Sequence, residues 1–271
     1  MTDWFHPRPP STLYKFKAYS TLLDRKRVRR MLTRGEVYFA RAPEFNDPFE
    51  LKPRWVPRWK NDTERRRIIR DEIAKDAGGD PHLRRVLFAK ALENSVPDKM
   101  RENQSAYHKV LETQVDIFCT TGTREDLLMW SHYGQSHTGL CIHIDASSMP
   151  FSAAIPVHYS DDYPEILMPA EDPDEAFRVC ILTKGMDWKS ESEYRLLRLR
   201  MPGCSSLDLK WNGPIATVPL NVFTGVTLGA RMPPAYHRTF VKFARYAPHP
   251  FQVWTAKVNN AAFKLDVERL A

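Results

Sequence analysis

Polar and aromatic side chains crowd the stretch between residues 117 and 195. It includes Met129-Trp-Ser-His-Tyr-Gly134 and ends in Trp188-x-x-Glu-x-Glu-Tyr-Arg195. A packing core does not need this density of His, Tyr, Trp, Lys, Glu and Arg. A site that binds a polar ligand and moves charge on it does. We therefore expect the functional site within this stretch.

Two carboxylates lie near its end. If this segment is a strand, Glu191, Glu193 and Arg195 point to one face of it. Neighbouring carboxylates repel, so a cation is expected beside them, and Arg195 or Lys184 could supply it. A carboxylate beside an aromatic ring could hold a ribose hydroxyl or stabilise an oxocarbenium-like centre. The alternative is an exposed strand face with cross-strand ion pairs.

The Trp130 segment offers further polar groups. A helix here places Met129, Trp130 and Tyr133 on one side, and the polar tips of His132 and Tyr133 precede a glycine. Gly134 and Gly139 bracket a turn, which contains His137, where the backbone could approach a ligand. The alternative for Trp130 is an aromatic helix face packed on a sheet.

Two further segments have both a functional and a structural interpretation. Asn46 and Asp47 precede Pro48 in a turn, where they either bind a ligand or cap the backbone. Tyr14 and Lys15 on the predicted first strand are equally ambiguous.

Several common chemistries lack their motif. There is no Gly-rich phosphate loop and no G-x-S-x-G, and the adjacent Ser131 and His132 cannot form the hydrogen bond of a triad. No cysteine or histidine spacing predicts a metal site. A metal-dependent nuclease remains an alternative, with ligands from the set Asp145, Glu191, Glu193 and Lys184.

Size and charge limit the class of protein. The chain has 271 residues, 42% of them hydrophobic, with no apolar run long enough to span a membrane and no signal-peptide pattern. Its four cysteines fit reduced thiols, so we expect a cytoplasmic protein. Residues 1–110 hold 25 Lys and Arg against 15 Asp and Glu. The excess of positive charge is concentrated in a basic cluster formed by Arg25, Lys26, Arg27, Arg29 and Arg30. This cluster either binds a nucleic acid or is a solvated helix face.

The periodicity predicts one α+β domain over 1–271, with a mixed or mainly antiparallel sheet, flanking helices and a helical insertion at about 60–115. The predicted helices cover 21–32, 62–77, 81–95, 98–113, 124–134, 172–184 and 233–246. The predicted strands cover 13–16, 36–40, 116–121, 139–145, 155–159, 193–200, 215–219, 225–229 and 251–257. Gly35 and Asp80 are the expected cap residues of two helices, and Leu22 is expected on the buried side of the first.

A series of motifs resembles the domain of unknown function 2971 family of bacteria and phages. The motifs are Leu13-Tyr-Lys, Gly35-Glu-Val-Tyr-Phe, Phe45-Asn-Asp-Pro-Phe-Glu, Met129-Trp-Ser-His-Tyr-Gly-x-x-His-x-Gly139, Lys184, Trp188-x-x-Glu-x-Glu-Tyr-Arg195 and Gly229-Ala-Arg231. The resemblance spans residues 13–268, and that family's name assigns no activity.

The order of elements is also similar to that of DNA-modifying ADP-ribosyltransferases. That similarity implies that Tyr14 or Lys15 holds NAD, that Thr120 or Thr121 supports it, and that Glu193 is catalytic. The first strand lacks the Arg or His of those enzymes, and the chain lacks their Ser-Thr-Ser. The similarity lies only in the order of the secondary-structure elements.

The leading hypothesis is an enzyme that acts on a nucleotide-type ligand and transfers ADP-ribose from NAD. In it, Glu193 stabilises the positive ribose carbon, His132 and Tyr133 orient the ligand, and Arg195 and Lys184 neutralise phosphate. The second hypothesis is a non-catalytic nucleotide- or nucleic-acid-binding module of a defence or regulatory system. The predicted catalytic residues are Glu193, His132, Tyr133 and Glu191, and the predicted ligand-binding residues are Tyr14, Lys15, Asn46, Asp47, Thr121, Trp130, His137, Lys184, Trp188 and Arg195.

Overall fold

The computed structural model describes residues 8–76, 80–200 and 207–270. Its helices are α1 (Leu22–Arg34), α2 (Asp62–Asp76), α3 (Pro81–Asn94), α4 (Pro97–Gln114), α5 (Leu127–His132), α6 (Pro173–Leu182) and α7 (Pro234–Tyr246). Each of them lies within a predicted helix or extends it by a residue or two. The end predicted for α2, at residue 77, lies outside the described residues, as does Cys204, one of the four cysteines.

The strands begin with β1 (Thr12–Lys17), β2 (Glu36–Tyr38), β3 (Arg54–Pro57), β4 (Val115–Thr121), β5 (Leu140–Asp145), β6 (Ile155–Pro156), β7 (His158–Ser160) and β8 (Glu165–Met168). They continue with β9 (Thr183–Gly185), β10 (Glu193–Leu199), β11 (Lys210–Asn212), β12 (Ile215–Thr217), β13 (Phe223–Leu228), β14 (Gln252–Val258) and β15 (Leu265–Arg269). Five of these were not predicted: β3, β8, β9, β11 and β15. The strand predicted at 155–159 is split into β6 and β7.

The chain folds into two compact units. The first is built from the described residues within 1–41, 115–159 and 186–271, and the second from those within 42–114 and 160–185. The helical insertion predicted at about 60–115 thus forms most of the second unit, which also takes in the residues from 42 up to the insertion and the separate later segment 160–185.

An eight-stranded sheet forms the first unit. Its strand order is β15-β14-β13-β5-β1-β4-β10-β6. β13 and β14 run parallel, and the other neighbouring pairs are antiparallel. A small antiparallel sheet, β11-β12-β2, belongs to the same unit. The α+β class with a mixed, mainly antiparallel sheet is therefore confirmed.

Both faces of the large sheet are covered, because side chains alternate along each strand. Leu13 of β1 joins the main core, to which α1 contributes Val28 and α7 contributes Phe240. Phe16, three residues on, packs with Trp130 of α5 on the opposite face. The predicted site residues are therefore split between two surfaces.

Local capping sets the ends of α1. Thr21 and Asp24 form a reciprocal capping box, and Gly35 ends the helix in the left-handed region at φ 71°. The helix buries Val28 and Met31 on its inner side. The prediction that Leu22 shares this side is wrong, since its side chain is 82% exposed. It stands in the first turn, before the chain reaches the core.

The second unit combines a parallel strand pair, β3 with β8, and the helices α2, α3, α4 and α6. Asp80 caps α3 by accepting hydrogen bonds from His82 N and Leu83 N, as predicted. Arg58 links two segments of the unit through ion pairs with Glu72 and Glu171. In the part of the chain that the structure describes, no helix combines the length and the apolar composition that a membrane span requires.

Candidate functional site

The strand register places four polar residues in one row across the centre of the first unit's sheet. Glu193 on β10 pairs with Thr121 on β4, Thr121 with Tyr14 on β1, and Tyr14 with His143 on β5. Directly paired residues point to the same face, so these four side chains share the face that α5 covers. Three of them come from predicted site segments that lie far apart in the sequence.

At one end of the row, Glu193 and Arg195 form a buried bidentate ion pair. The Arg195 Nε donates to Glu193 Oε1 at 2.9 Å, and Nη2 donates to Oε2 at 3.1 Å. Arg195 is 0% exposed and Glu193 is 5% exposed. The cation predicted beside the carboxylates is therefore Arg195. The paired fork holds the Glu193 carboxylate in one orientation.

Glu191 is held by a different partner. It closes a short 3-10 helix over Met186–Glu191 and is buried. Ser192, with φ 42°, separates it from β10. The expectation that Glu191 lies on the same strand as Glu193 is thus wrong, because this turn intervenes. The Tyr133 hydroxyl donates to Glu191 Oε1 at 2.6 Å, which joins two predicted catalytic residues.

At the other end of the row lies an aromatic cluster. The His143 ring stacks on Trp254 at 4.6 Å between centroids, and Tyr14 meets it edge-on at 5.1 Å. The Arg124 guanidinium lies 5.7 Å from the Trp254 ring centroid. Tyr14, Trp254 and Arg124 are half-buried. The cluster presents flat rings and a positive charge to solvent, as nucleotide-binding surfaces do.

Burial shifts the titration of several groups in this unit. It lowers the pKa of His143 to about 3, with the positive charge of Arg124 adding to the effect. Burial, with a smaller contribution from Glu193, holds the pKa of the Cys119 thiol well above its usual range. His143 is therefore neutral near pH 7. Cys119 stays protonated, which makes it a poor nucleophile.

Lys17 on β1 is a further perturbed group. Burial, and then the neighbouring charge of Lys15, lowers the pKa of Lys17 to about 7. Lys15 itself lies on the opposite face from Tyr14, donates from Nζ to Cys119 O at 2.6 Å and lies 5.0 Å from the Phe118 ring centroid. These contacts fix the Lys15 side chain within the protein, which is the structural alternative considered for it.

The segment around Trp130 is built mainly for packing. Trp130 is fully buried, and its indole Nε1 donates to Arg124 O at 2.7 Å. A Cβ on Gly134 would lie 2.7 Å from Trp130 Cε3, and one on Gly139 would lie 2.3 Å from Lys17 O. These glycines therefore allow protein segments to pack closely. That packing accounts for both glycines without the ligand contact that was predicted at this turn. His137, at φ 68°, stacks on Trp130 with centroids 6.2 Å apart.

The remaining predicted residues of the first unit have separate environments. His132 is exposed at the end of α5. Thr121 is buried, and its hydroxyl accepts from Thr123 N at 3.2 Å, so it stabilises the turn after β4. Trp188 is half-buried in the 3-10 helix that carries Glu191.

Three predicted ligand-binding residues belong to the second unit. Asp47 is buried and its Oδ1 accepts from Phe49 N at 2.9 Å, which is the capping role considered for it. Asn46 beside it is exposed. Lys184 is buried with its Nζ 4.0 Å from Glu50 Oε2, so the unit encloses an ion pair.

The basic cluster on α1 is divided in two by its contacts. Arg25 donates to Ser20 O and lies 5.0 Å from the Tyr236 ring centroid, and Arg30 is paired with Glu36 at 2.6 Å. Lys26, Arg27 and Arg29 are exposed. Of the five residues in the cluster, these three present their charge outward from the helix, as a nucleic-acid contact requires.

Sequence reasoning did not select His143, Trp254, Arg124 or Lys17. The alternation along β1 and β5 could have put His143 on the same face as Tyr14. Nothing local connects His143 with Trp254, which lies more than a hundred residues later in the chain.

Within the described residues, no group of three or more His, Cys, Asp and Glu side chains is arranged to hold a metal ion. Asp145, a member of the alternative nuclease set, accepts from Ser147 N at 2.9 Å and from its hydroxyl at 2.6 Å. Comparisons of the chain with protein-family models, with curated proteins and with solved structures returned no match.

Proposed function

We propose that the first unit is a transferase-type enzyme that acts on a nucleotide-type ligand such as NAD. The observation that carries the proposal is the row from Glu193 to His143, continued by Trp254 and Arg124. A nucleotide offers a flat ring, a ribose and a phosphate. The row supplies aromatic planes, an oriented carboxylate and a guanidinium, which are the matching groups.

In the proposed reaction, the bond between the ribose anomeric carbon and nicotinamide breaks, and nicotinamide leaves with the bonding electrons. Positive charge develops on the ribose, and the oriented Glu193 carboxylate stabilises it. An acceptor oxygen or nitrogen then bonds to the anomeric carbon and releases its proton. Glu191, held by Tyr133, would take that proton, and the exposed His132 would contact the ligand at the edge of the site.

Release of nicotinamide from NAD, with water as the acceptor, tests this proposal without an identified macromolecular target. Tyr133→Phe removes the hydroxyl that orients Glu191 and retains the ring. We expect it to lower the rate of nicotinamide release about 10–100-fold, with NAD affinity changed less than about threefold. Glu268→Gln, an exposed change on β15, is the control and should retain the wild-type rate.

Calorimetric titration with NAD and with ADP-ribose supplies a second readout. Absence of binding to both at about 1 mM would end the nucleotide proposal, since functional affinities are tighter than that. Binding without turnover in the wild-type protein would instead favour the non-catalytic module.

The second candidate function, a nucleic-acid-binding module, rests on one observation. Lys26, Arg27 and Arg29 are exposed together on α1. Exposed cations of this kind contact phosphates and release counterions, which makes binding strongly salt-dependent.

A further inference from the structure

The second unit contains a cavity of about 470 Å³ that has no part in the proposed reaction. It is bordered by β3, the first turns of α2 and α4 and the segments that lead into them. Its lining combines two indole rings, Trp55 and Trp59, with three cationic side chains, Lys60, Arg65 and Arg101. Asp62 is the one acidic residue among the lining residues that the structure describes.

A smaller cavity of about 250 Å³ adjoins it and shares Trp55, Trp59, Ser95 and Met100 with it. Its other lining residues are mainly apolar: Ile69 and Ile73 of α2, Ala91 of α3, and Met168 with Pro169. The polar ones are Glu72, Asn94 and Asn103. The smaller, mainly apolar cavity (the recess) and the larger cavity with its three cations (the mouth) therefore share both indole rings.

The positive character of the mouth has two sources. The helices α2 and α4, of 15 and 18 residues, both begin at the cavity, and their first turns add partial positive charge to that of the side chains. Two N–H donors beside the cavity, Trp55 Nε1 and Arg65 Nε, are buried and have no hydrogen-bond partner among the described residues. A buried donor left this way has lost its hydrogen bonds to water, and an acceptor brought to the cavity wall would restore one.

We propose that the second unit binds a small aromatic anion. Its ring contacts Trp55 and Trp59 in the recess, and its anionic group contacts Lys60, Arg65 and Arg101. Indole rings favour flat apolar partners through stacking, and guanidinium groups favour phosphate or carboxylate through paired hydrogen bonds. The site is separate from the row on the first unit and does not depend on the function proposed for it.

Calorimetric titration with 1-naphthyl phosphate tests this assignment, with 1-naphthol and inorganic phosphate as half-ligands. We expect 1-naphthyl phosphate to bind at least about tenfold more tightly than either half, because ring and anion contact separate parts of the cavity. Indole-3-acetate, titrated alongside, distinguishes a carboxylate site from a phosphate site. Equal affinity for 1-naphthol and its phosphate would overturn the anionic part of the proposal, and absence of binding at about 1 mM would overturn it entirely.

Adjacent arginines on α2 provide a matched pair of variants. Arg65 and Arg66 both pair with Asp62, at 2.6 Å and 2.7 Å, but only Arg65 lines the cavity. We expect Arg65→Ala to weaken binding about tenfold or more and Arg66→Ala to change it less than about twofold. Equal losses in both would indicate general surface attraction and contradict the site. Lys60 is exposed and lies outside α2, so Lys60→Ala should leave the fold unaffected. We expect this variant to bind the phosphate more weakly than the wild type. Wild-type affinity would count against the anion position proposed at Lys60, Arg65 and Arg101.

Discussion

The Glu193 and Arg195 side chains show what burial does to an ion pair. Both have left water almost completely, so their mutual hydrogen bonds have to offset a large desolvation cost. The pair orients a carboxylate at the centre of the proposed site. Neither residue can be removed without leaving the other charge buried.

A double-mutant cycle measures this dependence. Arg195→Met leaves the Glu193 carboxylate without its fork, and we expect the free energy of unfolding to fall by about 3–5 kcal/mol. Adding Glu193→Leu removes the stranded charge and should recover most of that loss, as buried pairs replaced by apolar residues often do. Urea denaturation of the wild type, both single variants and the double variant supplies the four values. A double variant as unstable as the sum of the two singles would show that the residues are not coupled.

His143 should make the stability of the first unit depend on pH. In the unfolded chain an imidazole takes up a proton near its ordinary pKa of about 6.5. Folded His143 stays neutral down to about pH 3, because burial lowers its pKa to about 3. Between these values the unfolded state binds more protons. The free energy of unfolding should therefore decrease as the pH falls through this window, by up to about 1.4 kcal/mol per pH unit.

His143→Phe removes the titrating group and retains a flat ring against Trp254. Its free energy of unfolding should fall less than that of the wild type between pH 7 and pH 5, by a difference of about 1–2 kcal/mol. His132→Phe, which replaces an exposed imidazole, is the control for the loss of one histidine. Parallel pH profiles for the wild type and His143→Phe would contradict the buried, neutral state of His143.

At the scale of the elements, β13 leaves room for the aromatic cluster because one of its residues has no side chain. A Cβ on Gly225 would lie 2.1 Å from Trp254 Cζ3 and 3.1 Å from His143 Nδ1. Gly225 pairs with His143, where the register between β13 and β5 shifts. The glycine lets Trp254 lie across the strand and reach the imidazole.

Gly225→Ala should push the Trp254 ring away from His143. We expect a loss of about 1–3 kcal/mol in the free energy of unfolding, since extra volume in a packed region forces its neighbours to move. A shift of the tryptophan fluorescence maximum should accompany it. Gly213→Ala on the first unit has no heavy atom within 4 Å of its new Cβ, so it adds only the strain of a side chain at φ 58° and should leave the fluorescence maximum unchanged. An unchanged spectrum in Gly225→Ala would show that the indole does not depend on the glycine.

Helix ends could be predicted from the sequence because they carry local signals. Thr21, Gly35 and Asp80 cap their helices in the structure, and the predicted limits follow them closely. The strand β3 was missed because it is short, follows Pro53 and ends at Pro57, and because its partner β8 is more than a hundred residues away. Pairing across that distance leaves no local trace in a single sequence.

The candidate site was predictable in part for the same reason. Alternation along β10 put Glu193 and Arg195 on one side, and the structure joins them. The contact of Tyr133 with Glu191 and the stack of His143 on Trp254 depend on tertiary structure. Asp47 shows the opposite case, where a local turn motif accounts for the side chain.

At the scale of the molecule, charge is the property that bears on partners. The net charge is +7, with the excess in residues 1–110. Replacing Lys26, Arg27 and Arg29 by Glu reverses the exposed part of the α1 cluster and should abolish any binding to short oligonucleotides. We expect the wild-type affinity, measured by fluorescence anisotropy, to fall steeply with salt, by a logarithmic slope of about −0.7 to −0.9 per phosphate contact.

The same reversal on α7 controls for net charge. Arg238, Lys242 and Arg245 are exposed on that helix of the same unit. If reversal on α7 weakens binding as much as reversal on α1, the attraction is general and α1 is not a nucleic-acid contact. Absence of binding by the wild type at low salt would dismiss the cluster as solvated surface.

The position of β1 at the centre of the large sheet has a consequence for synthesis on the ribosome. Its two neighbours begin much later in the chain, β4 about 100 residues and β5 about 125 residues after β1. At about 5–20 residues per second, the first strand therefore waits about 5–20 s with both of its edges open. During that interval the nascent chain exposes a strand that pairs readily with other chains. Chaperone binding to β1 during this delay would protect the strand until the sheet closes around it.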